Sequence, residues 1–292
     1  MTQSYIHGYS IAEQHRLIEQ AEVLAANIHA GLDLSDSCRL LELGCGAGAE
    51  LDYLRAHSAR IDLTGVDINA GHLAAAAEHL AARDQDRAVT LVQADATALP
   101  FANGSFDTVM TVWMLEHARR PAAVLSEALR VLTPDGHLIC TEVDNSTLRM
   151  EPALPAIRDW LDSFNQLQQE TGGDPYIGRR LVDLARTLGT RDIRSENLAI
   201  LSTLFEPWRR DEIVNYLESL LLSGSEPLLA AGKIRHDQID ALRRNFATLR
   251  REPAIEIRYF AVRMSCRPGL EHGHFTKDTD TRDSAAKMEN SA

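Results

Sequence analysis

The sequence has 292 residues, enough for one large domain or two small ones around a substantial core, and its 45% hydrophobic and 25% charged content is that of an ordinary globular protein. A formal charge of −12 argues against a general nucleic-acid or anionic-membrane binder, which would present a basic surface; a local basic patch stays open. No apolar run approaches a membrane span, the first residues lack a signal-peptide pattern, and Cys38, Cys45, Cys140 and Cys266 are scattered without metal-ligand spacing, so a cytoplasmic protein with reduced thiols and no metal is expected.

Ser10, with Glu13 three residues on, has capping-box spacing and opens a helix. Its Leu17, Ile18, Ala21, Leu24, Ala25 and Ile28 recur at helical period, and Gly31 ends it. Leu40, Leu41 and Leu43 form the short apolar run of a buried parallel strand, and Gly44, Gly46 and Gly48 follow at alternate positions. A strand that breaks into alternating glycines before a helix presents backbone N–H groups with no Cβ in the way, so a nucleotide-like ligand can approach the main chain. Glu42 is unusual inside such a strand and offers an acceptor to a cationic or hydroxyl-bearing ligand.

Residues 49–60 read as a helix and 61–66 as a second strand ending in Asp67. An alanine-rich helix follows over 71–83, then a third strand over 89–93 leading to Asp95, and a fourth over 106–112. Pro121 suits a first helical turn, with Val124, Leu125, Ala128, Leu129 and Leu132 on one face. Thr133-Pro-Asp-Gly136 reads as a turn before a fifth strand at 137–142. Strands alternating with helices predict a mostly parallel sheet covered on both faces.

The second half changes character. Helices are predicted at 152–171, 178–188, 209–222 and 234–251, a turn at 172–175, and strands at 193–204 and 255–264. From 268 to 292 the chain is polar and is expected to be a disordered tail; a His272-x-His274 pair there is weak support for a metal.

In an open parallel sheet, ligands bind beyond the carboxyl ends of the strands. The glycines follow strand one, Asp67 ends strand two roughly 20 residues later, where a carboxylate can accept from both ribose hydroxyls, and Asp95 follows strand three. Two carboxylates so placed suit the vicinal hydroxyls and the amino group of adenosine.

The arrangement resembles the class I S-adenosylmethionine-dependent methyltransferases from about Tyr5 to about Arg267. The residues that carry the resemblance are L-E-L-G-C-G-A-G (41–48), G-V-D-I (65–68), Q-A-D-A-T-A-L-P-F (93–101), S-F-D (105–107), W-M-L-E-H (113–117) and L-T-P-D-G-H-L (132–138). The L-P-F and S-F-D pairing is similar to the branch that includes ubiquinone- and menaquinone-biosynthesis enzymes. The resemblance implies a Rossmann-like α/β fold with a seven-stranded, mostly parallel sheet, here with about fifty residues inserted between strands six and seven. It implies S-adenosylmethionine as cofactor and methyl transfer to a small molecule, with no nucleic-acid or membrane partner, in a monomer or homodimer. It divides the chain into an N-terminal helical lid over 1–35, a methyltransferase domain over 36–267 with helical caps at about 145–178 and 205–250, and the tail.

It also implies site roles. Gly44, Cys45, Gly46, Ala47 and Gly48 would lie under the methionine portion with Glu42 beside them, Asp67 would bind ribose, Ile68 would pack on adenine, Asp95 and Ala96 would hold its edge, and Trp113 and Met114 would border the methyl group. Tyr5 and Arg16 would close over the cofactor, Arg16 on its carboxylate. Glu116 and His117 are candidates for a general base, although both also suit the start of a helix. His7, Tyr9 and Tyr176 are further base candidates that suit lining or lid better, and Tyr9, Trp160, Phe164, Tyr176, Phe205 and Trp208 are expected to line a partly apolar substrate pocket. Three other functions compete: a nicotinamide-dependent oxidoreductase, since Gly44-x-Gly46-x-x-Ala49 matches a loosened dinucleotide fingerprint, a non-catalytic S-adenosylmethionine-binding protein, and a nucleic-acid or protein methyltransferase, against which stand the acidic charge and the lack of an Asn/Asp-Pro-Pro-aromatic motif at Thr111-Val-Trp-Met114.

Overall fold

Leu40, Leu41 and Leu43 have no exposed surface, because their strand β1 (Arg39–Leu43) pairs in parallel on both sides and both its faces are covered. The computed structural model describes residues 11–34, 39–57, 60–83, 88–252 and 254–270. The predicted Ser10 cap, Tyr5, His7, Tyr9, Cys38 and the tail beyond residue 270 lie outside the described residues.

The chain begins with α1 (Ile11–Ile28) and, after β1, continues through α2 (Ala49–His57), β2 (Asp62–Asp67), α3 (Ala70–Ala82), β3 (Thr90–Gln93), β4 (Phe106–Val112), α4 (Pro121–Val131) and β5 (Leu132–Val143). There follow β6 (Arg149–Glu151), α5 (Pro155–Glu170), α6 (Leu181–Thr187), β7 (Arg191–Ser202), α7 (Arg210–Ser223), α8 (Ser225–Ala230), α9 (His236–Leu249) and β8 (Glu256–Arg267). The sheet runs β3-β2-β1-β4-β5-β8-β6, with β7 also on β8. The strands from β3 to β5 pair in parallel, and β8 is antiparallel to each of its neighbours.

This is the expected α/β architecture with four local differences. The described residues form eight strands rather than seven: β6 adds to β8 just beyond the end of β5, and three residues show no readable period. The turn at 133–136 is a bulge inside one strand. Leu132 pairs with Phe106 and His137 with Thr108, so those four residues bow out against Asp107, where a Cβ on Gly136 would come within 2.9 Å of the Asp107 carbonyl. The helix predicted from residue 178 begins as a tight 3₁₀ turn, Ile177–Arg180, before α6. Short α8 occupies a stretch between two predicted helices where no element is predicted from the sequence.

Side-chain alternation along β1 sends Leu41 and Leu43 into one core, with α4 and α6, and Leu40 into the other. Glu42 shares the Leu40 face. On that side α5, α7, α8 and α9 pack against one another, and α1 packs on α2, β7 and α7. Arg263 of β8 anchors the end of α1 by donating to the carbonyls of Ile28 at 3.0 Å and Ala30 at 2.5 Å, while Glu196 of β7 pairs with the same guanidinium. Among the described residues no helix is long and apolar enough to cross a membrane.

Trp160 belongs to this helical layer and not to a pocket wall. It is 2% exposed, and its indole N–H donates to the Leu221 carbonyl of α7 at 3.0 Å, because a ring that large is needed to fill the space between α5 and α7. Tyr176 lies under the Arg179 guanidinium, whose carbon stands 4.8 Å from the ring centre. Phe205 and Trp208 sit on the outside, Trp208 at 77% exposure.

Candidate active site

The first turn after β1 is held by backbone. The N–H groups of Gly44 and Cys45 both donate to the Val66 carbonyl at the end of β2, at 2.7 and 3.0 Å. Gly44 has φ +73°, and a Cβ there would stand 2.4 Å from Met114 Cγ, so this position requires glycine. Gly48, by contrast, faces α3: its missing Cβ leaves room for Ala76, and it takes no part in the cavity wall.

Asp67 closes the loop from the other side. Its Oδ2 accepts the Gly46 N–H at 3.0 Å, its Oδ1 accepts the Asn69 N–H at 2.8 Å, and His72 Nδ1 lies 3.5 Å away. Asn69 in turn caps α3 by accepting the His72 N–H. Asp95 makes a similar local turn, its Oδ1 accepting the Thr97 N–H and hydroxyl, both at 2.8 Å, and those bonds hold its carboxyl below the usual range. Ile68, 55% exposed, stands between them.

Glu42 is 2% exposed and its Oε2 has no hydrogen-bond partner. Burial, then the nearby carboxylates of Glu50 and Asp67, push its pKa well up. A buried carboxylate left without a partner beside two others marks a place built to receive positive charge.

Beyond β4 the chain turns sharply. Trp113 has φ +49°, donates its backbone N–H to Thr141 and buries its indole N–H without a partner. Glu142 then accepts the N–H groups of Met114, Leu115 and Glu116, at 3.2, 2.9 and 3.3 Å, and the Thr111 hydroxyl. Glu116 is gripped from the 168–174 segment. Gln168 donates to its Oε2 at 2.9 Å and to its carbonyl, which also accepts the Asp174 N–H. Burial raises Glu116 to about 7 and lowers His117, whose Nε2 lies 3.6 Å from Glu116 Oε1, to about 4.

These elements enclose one cavity of about 720 Å³ at the carboxyl ends of β1, β2 and β4. It brings together Arg16, Glu42, Gly44, Cys45, Gly46, Asp67, Ile68, Asp95, Ala96, Trp113, Met114, Glu116, His117 and Phe164. Gly48, Trp160, Tyr176, Phe205 and Trp208 are not part of its wall. Arg16 is engaged by its own helix, with Nε and Nη2 on Glu13 and Nη1 on Gln20. Sequence reasoning missed His72 and Glu50, which stand in the first turns of the helices that follow Asp67 and the glycine turn. It also missed Asn145, Tyr216 and Tyr259, for which no local signal exists.

The chain is similar to known proteins in sequence and in fold. Residues 41–140 match the family model described as "Methyltransferase domain". Curated relatives include a 27-O-demethylrifamycin SV methyltransferase of Amycolatopsis mediterranei (33% identity over 45% of this chain and 48% of that protein). A demethylmenaquinone methyltransferase of Clavibacter sepedonicus is similar too (33% identity, 43% and 47% coverage). The chain spans about half the length of the curated relatives it matches. Among solved structures, phosphoethanolamine N-methyltransferase 2 of Haemonchus contortus, in complex with S-adenosyl-L-methionine, has a TM-score of 0.55 at 18% identity, covering 87% of this chain and 57% of that one. A Haloferax volcanii methyltransferase solved with an activator protein has a TM-score of 0.58 at 16% identity, covering 92% and 100%. Those two likenesses speak for the fold, and the sequence match speaks for the domain: over residues 41–140 this chain matches a methyltransferase domain, in keeping with the class I S-adenosylmethionine-dependent methyltransferases that its motifs resemble.

Proposed function

We propose that the protein moves the methyl group of S-adenosylmethionine to a small-molecule acceptor bound in the same cavity. The observation that carries this reading is Glu42: a buried carboxylate oxygen without a partner, facing a glycine turn, with Asp67 and Asp95 farther along the same wall. These residues fit a ligand that is cationic at one end and a nucleoside at the other. Glu42 would take the ammonium group, Asp67 the ribose hydroxyls, the free oxygen of Asp95 the adenine amine, and Ile68 one face of the base. A carboxylate oxygen that already accepts one N–H retains a second lone pair, so the bonds Asp67 makes to its own loop do not disable it.

The sulfonium supplies an already activated carbon, so the chain's tasks are to align the acceptor, exclude water and manage a proton. Trp113 and Met114 would border the reacting carbon, and Glu116 or His117 would handle the proton. We assign α1 and the rest of residues 1–35 to a lid, 36–267 to the methyltransferase body, and 145–178 and 205–250 to caps that shield the chamber. Titration calorimetry with S-adenosylhomocysteine and with NAD tests the reading: heat with the first and none with the second is expected, and no heat with S-adenosylhomocysteine on well-folded protein would refute it.

A further inference from the structure

Besides the glycine loop and the strand-end carboxylates, the cavity is lined by apolar Leu148, Leu161, Phe164, Leu220 and Leu221, and by a polar group made of Glu116, His117, Tyr216, Tyr259 and Asn145. We propose, on top of the methyltransferase reading, that the acceptor is an uncharged, largely apolar molecule methylated on an acidic hydroxyl of phenol or enol type, and that Glu116 receives its proton.

The charges argue for a neutral acceptor. The groups that face Glu116 are Arg16 from α1, itself paired with Glu13, His117 beside it, Glu142 from β5, Gln168 and Asp174 from α5 and its following turn, Tyr216 from α7 and Tyr259 from β8. The guanidinium of Arg16 is already matched by Glu13, and His117 is neutral around pH 7 because burial holds it down to about 4. Arg119 and Arg120 also line the cavity but stand exposed. An anionic acceptor would therefore enter a chamber of carboxyl groups with no buried cation left to meet it. An amine would ionise Glu116 by taking its proton, and the resulting pair would hold the amine without its lone pair.

The geometry selects Glu116 as proton acceptor. Gln168 occupies Oε2, which leaves Oε1 on the His117 side as the open oxygen. A carboxyl near 7 is matched to a neutral working pH, whereas His117 near 4 is a poor base. In the step, the acceptor O–H proton passes to Glu116 while an oxygen lone pair forms the new O–CH₃ bond. The methyl–sulfur bond breaks and its electrons stay on sulfur, giving neutral S-adenosylhomocysteine. Glu116 then returns the proton to solvent.

Naphthalene probes of one shape separate the alternatives. With the protein saturated by S-adenosylhomocysteine, 2-naphthol is expected to bind at least about tenfold tighter than 2-naphthoate in calorimetry, because like charges are disfavoured. With S-adenosylmethionine, transfer to 2-naphthol should rise with pH through a limb near Glu116's range. Glu116→Gln should erase that limb and lower kcat roughly 10²-fold with KM for 2-naphthol little changed. Gln168→Leu removes a donor that favours the charged form, so the limb should move to higher pH. Equal binding of naphthol and naphthoate, absence of transfer to 2-naphthol, or a Glu116→Gln variant with wild-type rate and limb would each overturn the proposal while leaving S-adenosylhomocysteine binding intact. Loss of that binding in the wild-type protein would instead bring down the methyltransferase reading, and this inference with it.

Discussion

The Glu142 carboxylate accepts the backbone N–H of Leu115 at 2.9 Å, three residues past the end of β4, and by accepting the flanking Met114 and Glu116 N–H groups it builds the turn that carries Glu116 and His117. A carboxylate that caps three amides would normally be a strong acid, yet Glu142 is pushed up to about 8 by burial first and the neighbouring Glu116 second. Its role is to position the turn.

The pH dependence of stability follows from that pair. Glu116 and Glu142 rise from 4.5 to about 7 and about 8 on folding, so in that window the native state holds protons that the unfolded chain has released. Their contribution is fully present below pH 4.5 and is lost as pH climbs through about 8. Thermal unfolding should show Tm falling between pH 5 and pH 8 in this respect, and Glu116→Gln should flatten the fall. An unchanged slope in that variant would contradict the linkage.

Glu42 predicts proton release on ligand binding. A cationic group arriving at Oε2 favours the ionised carboxylate, so affinity for S-adenosylhomocysteine should rise with pH, and the calorimetric heat should depend on the ionisation enthalpy of the buffer. Glu42→Gln should weaken binding by about 1.5–3 kcal/mol, the usual worth of a hydrogen bond to a charged group, and remove the buffer dependence.

Gly44→Ala should harm both stability and binding. The left-handed conformation alone costs roughly 1–2 kcal/mol for a residue with a Cβ, and the 2.4 Å approach to Met114 Cγ forces that side chain to move. Denaturant unfolding and S-adenosylhomocysteine titration read the two effects. Gly189→Ala, at φ +67° with open space around it, gives the strain without the clash.

His29 ties α1 to the cavity. Its Nε2 lies 2.5 Å from Glu50 Oε2 at the first turn of α2, and its ring stacks on Tyr53 at 4.2 Å. His29→Ala leaves Glu50 without that partner at about 1–3 kcal/mol and should loosen α1 before the sheet. Hydrogen exchange would then show faster amide exchange in α1 with β1, β4 and β5 unaffected.

Much of the nucleotide half could be read directly, because its determinants are neighbours in sequence. Leu40 to Gly48 carries its own strand period and turn chemistry, and Asp67 and Asp95 each follow a recognisable strand. Local signals failed where partners are distant. Trp160 and Phe164 lie one helical turn apart on α5 and look alike as lining residues, yet packing against α7 buries the first and leaves the second on the cavity wall. Tyr216 and Tyr259 enter the chamber from α7 and β8, elements that meet β5 and α1 only in the folded chain.

The sequence by itself determined the alternating α/β order, the glycine turn and the positions of the acidic residues at the strand ends, since hydrophobic period and backbone freedom act over a few residues. Tertiary structure alone decided which aromatic rings face the acceptor chamber, how far Glu116 and Glu142 depart from ordinary carboxylates, and where the 133–136 bulge and β6 fall. Those outcomes depend on desolvation and on contacts between segments more than a hundred residues apart in some cases, such as Tyr259 with Asn145, which no local pattern encodes.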